Sequence, residues 1–204
     1  MPEVTGYVLS GGKGRRMGRP KCQVEIKGRP MQDFAIDTLR EAFGDRVSLI
    51  GSRAPSSHSV RSIPDILPAG ASADAGGPAV AIYSALADAD GASVFVLACD
   101  MPLVTVELVE LLARKWDGRT SAVLPRQSDG RLQPLCGVYG PTCLPVFRDA
   151  IISGNYEIKR ILDPLDTLIV EPTEYATLPR NELFFTNVNT PADLDLVSSA
   201  VSNC

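Results

Sequence analysis

The chain has 204 residues, enough to bury one hydrophobic core and below the length at which a core usually divides, so one domain is predicted over residues 1–204. A hydrophobic content of 45% excludes an intrinsically disordered protein. The formal net charge of −4 argues against a basic surface for nucleic acid, and no nucleic-acid partner is expected.

Cysteine usage and hydropathy indicate the compartment. The five cysteines are odd in number and scattered, without the spacing of a metal site or a redox motif, which favours a reducing environment. No apolar run approaches the roughly 20 residues that a membrane span needs, and residues 1–10 lack the layout of a secretion signal. A cytoplasmic protein without a membrane partner is therefore predicted.

The first half of the chain alternates between short apolar runs and longer segments with helical periodicity. The predicted strands are residues 5–10, 46–50 and 93–98, and the predicted helices are residues 31–43, 79–89 and 106–115. Residues 51–77 are rich in Ser, Pro, Ala and Gly and predict a long loop, which in a compact domain is usually functional or mobile. The alternation predicts an α/β fold whose mainly parallel sheet is covered on both faces.

The second half of the chain is less regular. Strands near 122–124 and 132–139 flank a Ser-Asp-Gly turn, which indicates either an antiparallel hairpin or a wider connection. The other predicted elements are helices near 142–153 and 157–162, strands near 167–170 and 183–186, and a closing helix at 191–201. Neither an internal repeat nor a linker is visible, which supports a single domain.

The strongest functional signal is the segment LSGGKGRRMGRPK at residues 9–21, directly after the first predicted strand. Its glycines allow main-chain N–H groups to approach phosphate oxygens, and its lysines and arginines balance their charge. The spacing is not that of a Walker A loop, and Met17 stands where the dinucleotide-binding fingerprint needs its third glycine. A polyphosphate site is therefore predicted, and the alternative is a solvated surface turn.

Asp100 comes just after the most hydrophobic predicted strand, residues 93–98. A carboxylate at the C-terminal end of such a strand faces the same crevice as the glycine-rich segment. Magnesium on a nucleotide takes one or two protein carboxylates together with phosphates and waters. Asp100 is therefore a predicted Mg²⁺ ligand, and the alternative is a helix N-cap or turn residue ahead of Pro102.

A third candidate segment joins the predicted strand near 183–186 to the closing helix. Asn187 and Asn189 are two residues apart, so both side chains point to one side and can reach the crevice. Thr190, immediately before Pro191, fits a helix N-cap better than a catalytic role. For the two asparagines, the catalytic and the capping interpretations remain equally open.

His58 is the one histidine of the chain and lies in a Ser-rich stretch. It is interpreted as a solvated loop residue, which leaves little basis for a histidine-dependent triad or metal cluster.

Together these segments resemble the molybdenum cofactor guanylyltransferase family. The family's N-terminal pattern is leucine, alanine, two glycines, three variable residues, Arg-Met-Gly and a lysine, and here it reads Leu9-Ser10-Gly11-Gly12, Arg16-Met17-Gly18 and Lys21. Further matches in the family's order are Ile63-Pro64-Asp65, Gly77-Pro78, Cys99-Asp100-Met101-Pro102, Gln133-Pro134-Leu135 and Asn187-Val188-Asn189-Thr190-Pro191. The resemblance spans residues 9–194.

The resemblance implies a doubly wound, Rossmann-like nucleotidyltransferase fold. It also implies that the terminal phosphate of molybdopterin attacks the α-phosphorus of Mg-GTP, which forms a guanine dinucleotide cofactor and releases pyrophosphate. Proteins that deliver or receive the molybdenum cofactor would then be transient partners. The residues implied for nucleotide binding are Leu9, Ser10, Gly11, Gly12, Lys21, Gly51, Asp65 and Asp100, those for catalysis are Arg16, Lys21, Asp100, Asn187 and Asn189, and the metal ligand is Asp100.

Two departures from the family pattern bear on this site. Ser10 replaces the usual alanine, and Ala81 stands where many relatives have a glycine, which leaves a ligand less room to approach that backbone. The segment 16–21 also resembles a cytidylyltransferase branch, whereas the double glycine at 11–12 and the Asn-Thr-Pro segment at 189–191 favour guanine. The alternatives are a cytidylyltransferase or a sugar- or alcohol-phosphate nucleotidyltransferase of the same fold, or a non-catalytic nucleotide-binding module.

Overall fold

A seven-stranded sheet forms the centre of the computed structural model, which describes residues 4–11, 24–51 and 56–201. The strands are β1 (Val4–Ser10), β2 (Glu25–Ile26), β3 (Arg29–Pro30), β4 (Val47–Gly51), β5 (Arg61–Ile63), β6 (Ser93–Ala98), β7 (Ala122–Pro125), β8 (Cys136–Tyr139) and β9 (Thr167–Val170). The helices are α1 (Met31–Phe43), α2 (Pro78–Asp88), α3 (Val106–Lys115), α4 (Cys143–Ile152), α5 (Ile158–Leu162), α6 (Pro172–Tyr175) and α7 (Pro191–Val201), with a 3₁₀ helix at Asn181–Leu183.

The order of the strands in the sheet is β5-β4-β1-β6-β8-β7-β9. The pairs from β5 to β6 are parallel, β8 is antiparallel to both of its neighbours, and β7 is parallel to β9. The chain runs from β1 outward to β4 and β5 and then returns to place β6 on the other side of β1. The direction of strand order therefore reverses between β1 and β6, which is where open α/β sheets bind ligands.

Helices cover both faces of the sheet and divide the core into two clusters. Along β1, Val8 packs in the cluster that contains α1 and α3, whereas Tyr7 and Leu9 pack in the cluster that contains α2 and α4. All six residues of β6 are buried, because a central strand with helices on both sides meets apolar side chains above and below. The predicted α/β architecture with a mainly parallel, doubly covered sheet is confirmed.

Several predicted elements have the bounds that the sequence indicated. These are the helices α1, α3 and α7 and the strands β6 and β9. Gly44 ends α1 with a φ of 65°, a left-handed conformation that favours glycine. The two strands around the Ser-Asp-Gly turn form the antiparallel pair β7–β8, although β8 begins at Cys136 rather than at residue 132.

The strand predicted near residues 183–186 is wrong. The chain there leaves a 3₁₀ helix and folds Phe184 and Phe185 against Tyr175, with ring centroids 6.1 Å from the tyrosine ring in both cases. A compact aromatic cluster buries the apolar run without a strand partner.

The predicted loop 51–77 contains the edge strand β5, which sequence analysis missed. Its burial changes from exposed at Arg61 to buried at Ile63 over only three residues, too short a run for a periodicity signal. Among the residues that the structure describes, none of the helices has the length and apolar composition needed to cross a bilayer.

A charged tie holds β5 against the rest of the fold. Asp88, at the end of α2, accepts a hydrogen bond of 2.8 Å from the Tyr7 hydroxyl and two of 2.6 and 2.7 Å from the Arg61 guanidinium. Burial raises the pKa of Tyr7 and the hydrogen bond to Asp88 raises it further, so the phenol stays protonated and remains a donor. One carboxylate therefore joins β1, β5 and α2.

We expect Asp88→Ala to lower the free energy of unfolding by about 1–3 kcal/mol, because it leaves the buried Tyr7 hydroxyl without its acceptor. The exposed Arg61 contributes little to this loss. Urea denaturation followed by circular dichroism measures the change. Glu110→Ala, which removes an exposed i,i+4 ion pair with Arg114, is the matched control and should stay within about 0.5 kcal/mol of the parent. Equal effects of the two substitutions would show that the hydrogen bonds of Asp88 do not stabilise the fold.

Candidate functional site

A cavity of about 690 Å³ opens at the edge of the sheet where β1 and β6 end. Its size lies within the range of small-molecule binding sites. The ends of β1, β4 and β6 contribute Leu9, Gly11, Ile50 and Ala98, the connection into α2 contributes Asp65, Asp74, Ala75, Gly76, Gly77, Pro78 and Ala81, and Cys99, Asp100 and Leu135 complete the wall. The structure thus brings four of the predicted nucleotide residues, Leu9, Gly11, Asp65 and Asp100, to one cavity.

Backbone hydrogen bonds determine where Asp100 lies. The Cys99 N–H donates to the Leu9 carbonyl at 3.1 Å, which continues the β1–β6 pairing beyond the last residue of the strand. The Met101 N–H then bonds back to the Ala98 carbonyl at 3.2 Å and closes a turn around Asp100. The N-cap of α3 is Thr105, so Asp100 is not a helix N-cap, but it does occupy a turn ahead of Pro102, which is the other half of its alternative interpretation. Its role as a metal ligand remains a prediction.

The wall of the cavity is acidic in the part of the chain that the structure describes. Asp65, Asp74 and Asp100 all line it, and no lysine or arginine does. Desolvation by the surrounding wall raises the pKa of the Asp65 carboxyl. Three carboxylates around one cavity favour a cation, or a ligand that carries one.

Within the described ranges, no group of three or more His, Cys, Asp or Glu side chains is arranged to hold a metal ion. A magnesium ion that arrives on a polyphosphate needs only one or two protein carboxylates, and Asp100 is the predicted one.

The N-terminus of α2 also lies at this cavity. Gly77 is its N-cap with a φ of 91° and no side-chain cap, Pro78 follows, and the first turn carries no acidic residue. Uncapped N–H groups and the helix dipole favour an anion such as phosphate. A Cβ added at Gly76 or Gly77 would meet no atom within 4 Å, so a ligand has room there. Ala81, the departure from the family pattern, also lines this cavity.

Three of the predicted site residues, Gly12, Arg16 and Lys21, lie outside the described residues. In the sequence they belong to the run that continues from Gly11, where five lysines and arginines fall between residues 13 and 21. The positive charge of these lysines and arginines is opposite to the negative charge of the aspartates in the described wall.

Ser10 and Gly51 frame the cavity without lining it. The Ser10 hydroxyl is buried and donates to Gln32 Oε1 at 2.7 Å. Gly51 pairs with Ser10 in the β1–β4 register and has a φ of 106°, and a Cβ there would lie 3.1 Å from the Ser10 carbonyl oxygen. Glycine at position 51 therefore allows the two strand ends to approach each other.

The segment around Asn187 and Asn189 lies beside Asp100, because the Val188 N–H donates to the Asp100 carbonyl at 2.9 Å. Neither asparagine is among the residues that line the cavity. The Asn187 amide donates to the Phe185 carbonyl at 3.4 Å, and the Asn189 N–H donates to Asp193 at 2.9 Å. A catalytic role for the two asparagines remains a prediction.

The predicted N-cap at Thr190 is confirmed. Its hydroxyl accepts the Asp193 N–H at 3.3 Å, and the Asp193 carboxylate accepts the Thr190 N–H at 2.8 Å. Hydrogen bonds from the backbone of Asn189 and from Thr190 lower the pKa of Asp193, so this reciprocal cap is ionised at neutral pH.

His58 lies in a loop as predicted, but it is not simply solvated. Its Nε2 lies 2.7 Å from Asp37 Oδ1 and its Nδ1 lies 3.1 Å from an Arg40 nitrogen, so the ring packs along α1. Asp74 also lines the cavity, although no pattern in the sequence identified it as a site residue. The Gly-Gly-Pro helix start at residues 76–78 was the signal that could have pointed to the residues before it.

Comparisons with known proteins agree with this geometry. The sequence profile of the MobA-like NTP transferase domain matches residues 6–168. A probable molybdenum cofactor guanylyltransferase from Pelotomaculum thermopropionicum is 30% identical over 95% of this chain and 91% of its own length. A protein of the same name from Thermococcus kodakarensis is 32% identical over 94% of this chain and 92% of its own length.

The fold agrees with a solved structure as well. Molybdopterin-guanine dinucleotide biosynthesis protein A from Archaeoglobus fulgidus superimposes with a TM-score of 0.79, covering 98% of this chain and 100% of that one at 23% identity.

We expect Gly51→Ala to lower the free energy of unfolding by roughly 1–3 kcal/mol, because alanine is strained at this φ and its Cβ would press on the Ser10 backbone. Chemical denaturation measures the change. Gly11→Ala is the matched control at the same edge of the cavity, since a Cβ there meets no atom within 4 Å. A Gly51 variant as stable as the Gly11 variant would show that the strand ends do not depend on glycine.

Proposed function

Since the chain belongs to the MobA-like NTP transferase family and is a nucleotidyltransferase, we propose that it transfers a guanylyl group from Mg-GTP to the terminal phosphate of molybdopterin. An oxygen of the acceptor phosphate forms a bond to the α-phosphorus of GTP. The bond from that phosphorus to the bridging oxygen breaks, and pyrophosphate leaves with the electron pair. The product is a guanine dinucleotide form of the cofactor.

One observation carries the proposal. The end of β1 at Leu9 and Gly11 and the carboxylate of Asp100 after β6 line the same cavity, at the reversal point of the strand order. A glycine-rich backbone suits phosphate oxygens and a single carboxylate suits a nucleotide-bound cation. The proposal that the base is guanine and that the acceptor is molybdopterin rests on the relatives. These are named molybdenum cofactor guanylyltransferases, and they match this chain over most of their length.

The residues present suit a reaction that needs no covalent intermediate. The acceptor phosphate is already an anionic nucleophile, so the protein has to position two anions and balance their charge. Magnesium, when bound with the triphosphate, would neutralise charge and order the phosphates. Asp100 would hold that ion, and the N-terminus of α2 at Gly77 would receive phosphate oxygens.

The remaining roles follow the family pattern. Arg16 and Lys21 are proposed to balance the charge that develops on the leaving pyrophosphate, and Gly12 to contribute a main-chain donor. Asp65, which follows the end of β5 and lines the cavity, is proposed to contact the base or ribose. Asn187 and Asn189 are proposed to act in catalysis from the segment that bonds to the Asp100 carbonyl, although neither lines the 690 Å³ cavity.

A pyrophosphate-release assay tests the proposal. We expect Mg²⁺-dependent release with GTP and molybdopterin together, less with CTP, and none after EDTA treatment, because each phosphate must be neutralised before another anion approaches. Turnover of CTP that equals or exceeds that of GTP would show a cytidylyltransferase. Nucleotide binding without pyrophosphate release from any of the four nucleotides would indicate a non-catalytic module.

We expect Asp100→Asn to reduce turnover by roughly 100-fold or more at every magnesium concentration tested, because the amide keeps the size of the acid and loses the charge that a hard cation needs. Thermal unfolding should remain near that of the parent. Asp163→Asn, an exposed aspartate at the end of α5, is the matched control and should retain turnover. Turnover near that of the parent in the Asp100 variant would overturn the metal assignment.

A further inference from the structure

Four polar side chains of α1 hold two segments of chain that border the nucleotide cavity. These side chains are Gln32, Asp33, Asp37 and Arg40, and we refer to them as the α1 bracket. None of them lines the 690 Å³ cavity. Any influence on the nucleotide must therefore pass through the segments that they hold.

Gln32 holds the end of β1. Its Oε1 accepts the 2.7 Å hydrogen bond from Ser10, and each of the two residues is only 1% exposed. Ser10 immediately precedes Gly11, which lines the cavity. A buried hydroxyl without an acceptor is destabilising, because its desolvation is no longer offset by a hydrogen bond. The Ser10–Gln32 bond therefore favours one position of the end of β1.

Asp33 holds the segment that follows β4. Its carboxylate is fully buried and accepts 2.6 and 2.9 Å hydrogen bonds from the Ser56 hydroxyl and the Ser57 N–H. Burial alone would raise the pKa of Asp33, but these hydrogen bonds and the charge of His58 outweigh it and the pKa is lowered. The carboxylate is therefore ionised at neutral pH, and its hydrogen bonds are of the stronger, charge-assisted kind.

The other two members of the bracket extend this hold along the helix. Positions 33, 37 and 40 lie on one face of α1 because they follow helical spacing. Asp37 contacts His58 at 2.7 Å, and Arg40 donates to the Ser59 carbonyl at 2.8 Å. Residues 56–59 therefore run along α1 before the chain enters β5 and reaches Asp65 in the cavity wall.

The bracket lies on the opposite face of β4 from the nucleotide cavity. Leu49 contributes to a smaller cavity of about 320 Å³ that includes Gln32, Ser56 and His58, whereas the adjacent Ile50 lines the nucleotide cavity. Successive side chains of a strand point to opposite faces. The α1 bracket is thus separated from the nucleotide by one layer of backbone.

We propose that Gln32 and Asp33 are positioning residues, which set the separation between the end of β1 and the chain that leads from β4 to Asp65 before the nucleotide binds. The inference rests on the proposed function only in requiring that the cavity takes a nucleotide. Adjacent residues in one helical turn hold the two segments, so the turn acts as a rigid spacer. Contacts that are arranged in advance reduce the entropy lost when the ligand binds.

The test compares four variants of the full-length protein. Gln32→Met removes the acceptor of Ser10 at similar volume, and Asp33→Ala removes both acceptors of the 56–57 segment. Asp33→Asn is the rescue variant, because its amide can accept from the Ser57 N–H and donate to the Ser56 hydroxyl. Glu41→Ala, an exposed residue on the same helix, is the matched control.

For Gln32→Met and Asp33→Ala we expect the Kd and the KM for Mg-GTP to rise roughly 3–10-fold while kcat stays within about 2-fold. The reason is that these variants weaken the binding of the ground state and of the transition state equally, and leave the contacts made only in the transition state intact. Amide hydrogen exchange should accelerate in residues 4–11 and 56–59. Asp33→Asn should fall between the parent and Asp33→Ala in both measurements, because it keeps hydrogen bonds to the 56–57 segment and loses the charge that strengthens them. Glu41→Ala should match the parent. Should Asp33→Ala fail to fold, Gln32→Met and the rescue variant still decide the outcome.

Unchanged Kd and exchange rates in a folded Gln32→Met variant would overturn the proposal, as would a loss of kcat at constant KM. If the parent protein binds GTP but transfers nothing to molybdopterin, only the proposed function is refuted. The Kd for GTP and the hydrogen-exchange rates would still test the role of the α1 bracket. A parent that binds none of the four nucleotides would refute both.

Discussion

The parallel pairing of β1 with β6 is the constraint on which the site depends. It brings together the ends of two strands that are separated by more than eighty residues in the chain, with Leu9 opposite Ala98. The hydrogen bond from Cys99 to the Leu9 carbonyl extends this pairing one step beyond the strand. Helices on both faces bury β6 completely, so the pair cannot shift without exposing apolar side chains. The positions of Gly11 and Asp100 at the cavity follow from that single register.

Opposite charges are divided between two parts of the chain. The described wall of the cavity contributes carboxylates at residues 65, 74 and 100, whereas the run of residues 13–21 contributes lysines and arginines. A triphosphate with a bound cation needs both kinds of group, since the metal requires oxygen ligands and the phosphates require positive charge. The N-terminus of α2 adds main-chain donors that can face an anion, and its first turn carries no acidic residue.

Support for the site comes from residues that do not line it. Asp88 fastens β5 to β1 and α2 on one side of the sheet, and the α1 bracket fastens the β4–β5 connection on the other. Both use a carboxylate with little exposure to solvent and more than one hydrogen-bond donor, an arrangement that specifies geometry because a partly satisfied buried charge is costly. The chain that leads from β4 through β5 toward Asp65 is therefore held from both faces of the sheet.

The sequence by itself determined the alternation of strands and helices, the bounds of α1, α3, α7, β6 and β9, the N-cap at Thr190 and the place of Asp100 after β6. These features rest on local patterns, such as apolar periodicity, turn residues and capping, that nearby residues decide. The edge strand β5, the packing of His58 on α1, the aromatic cluster at Phe184 and the inclusion of Asp74 in the wall were decided only by the tertiary structure. Each depends on a partner distant in sequence, and a short or polar segment carries no periodicity that could identify that partner.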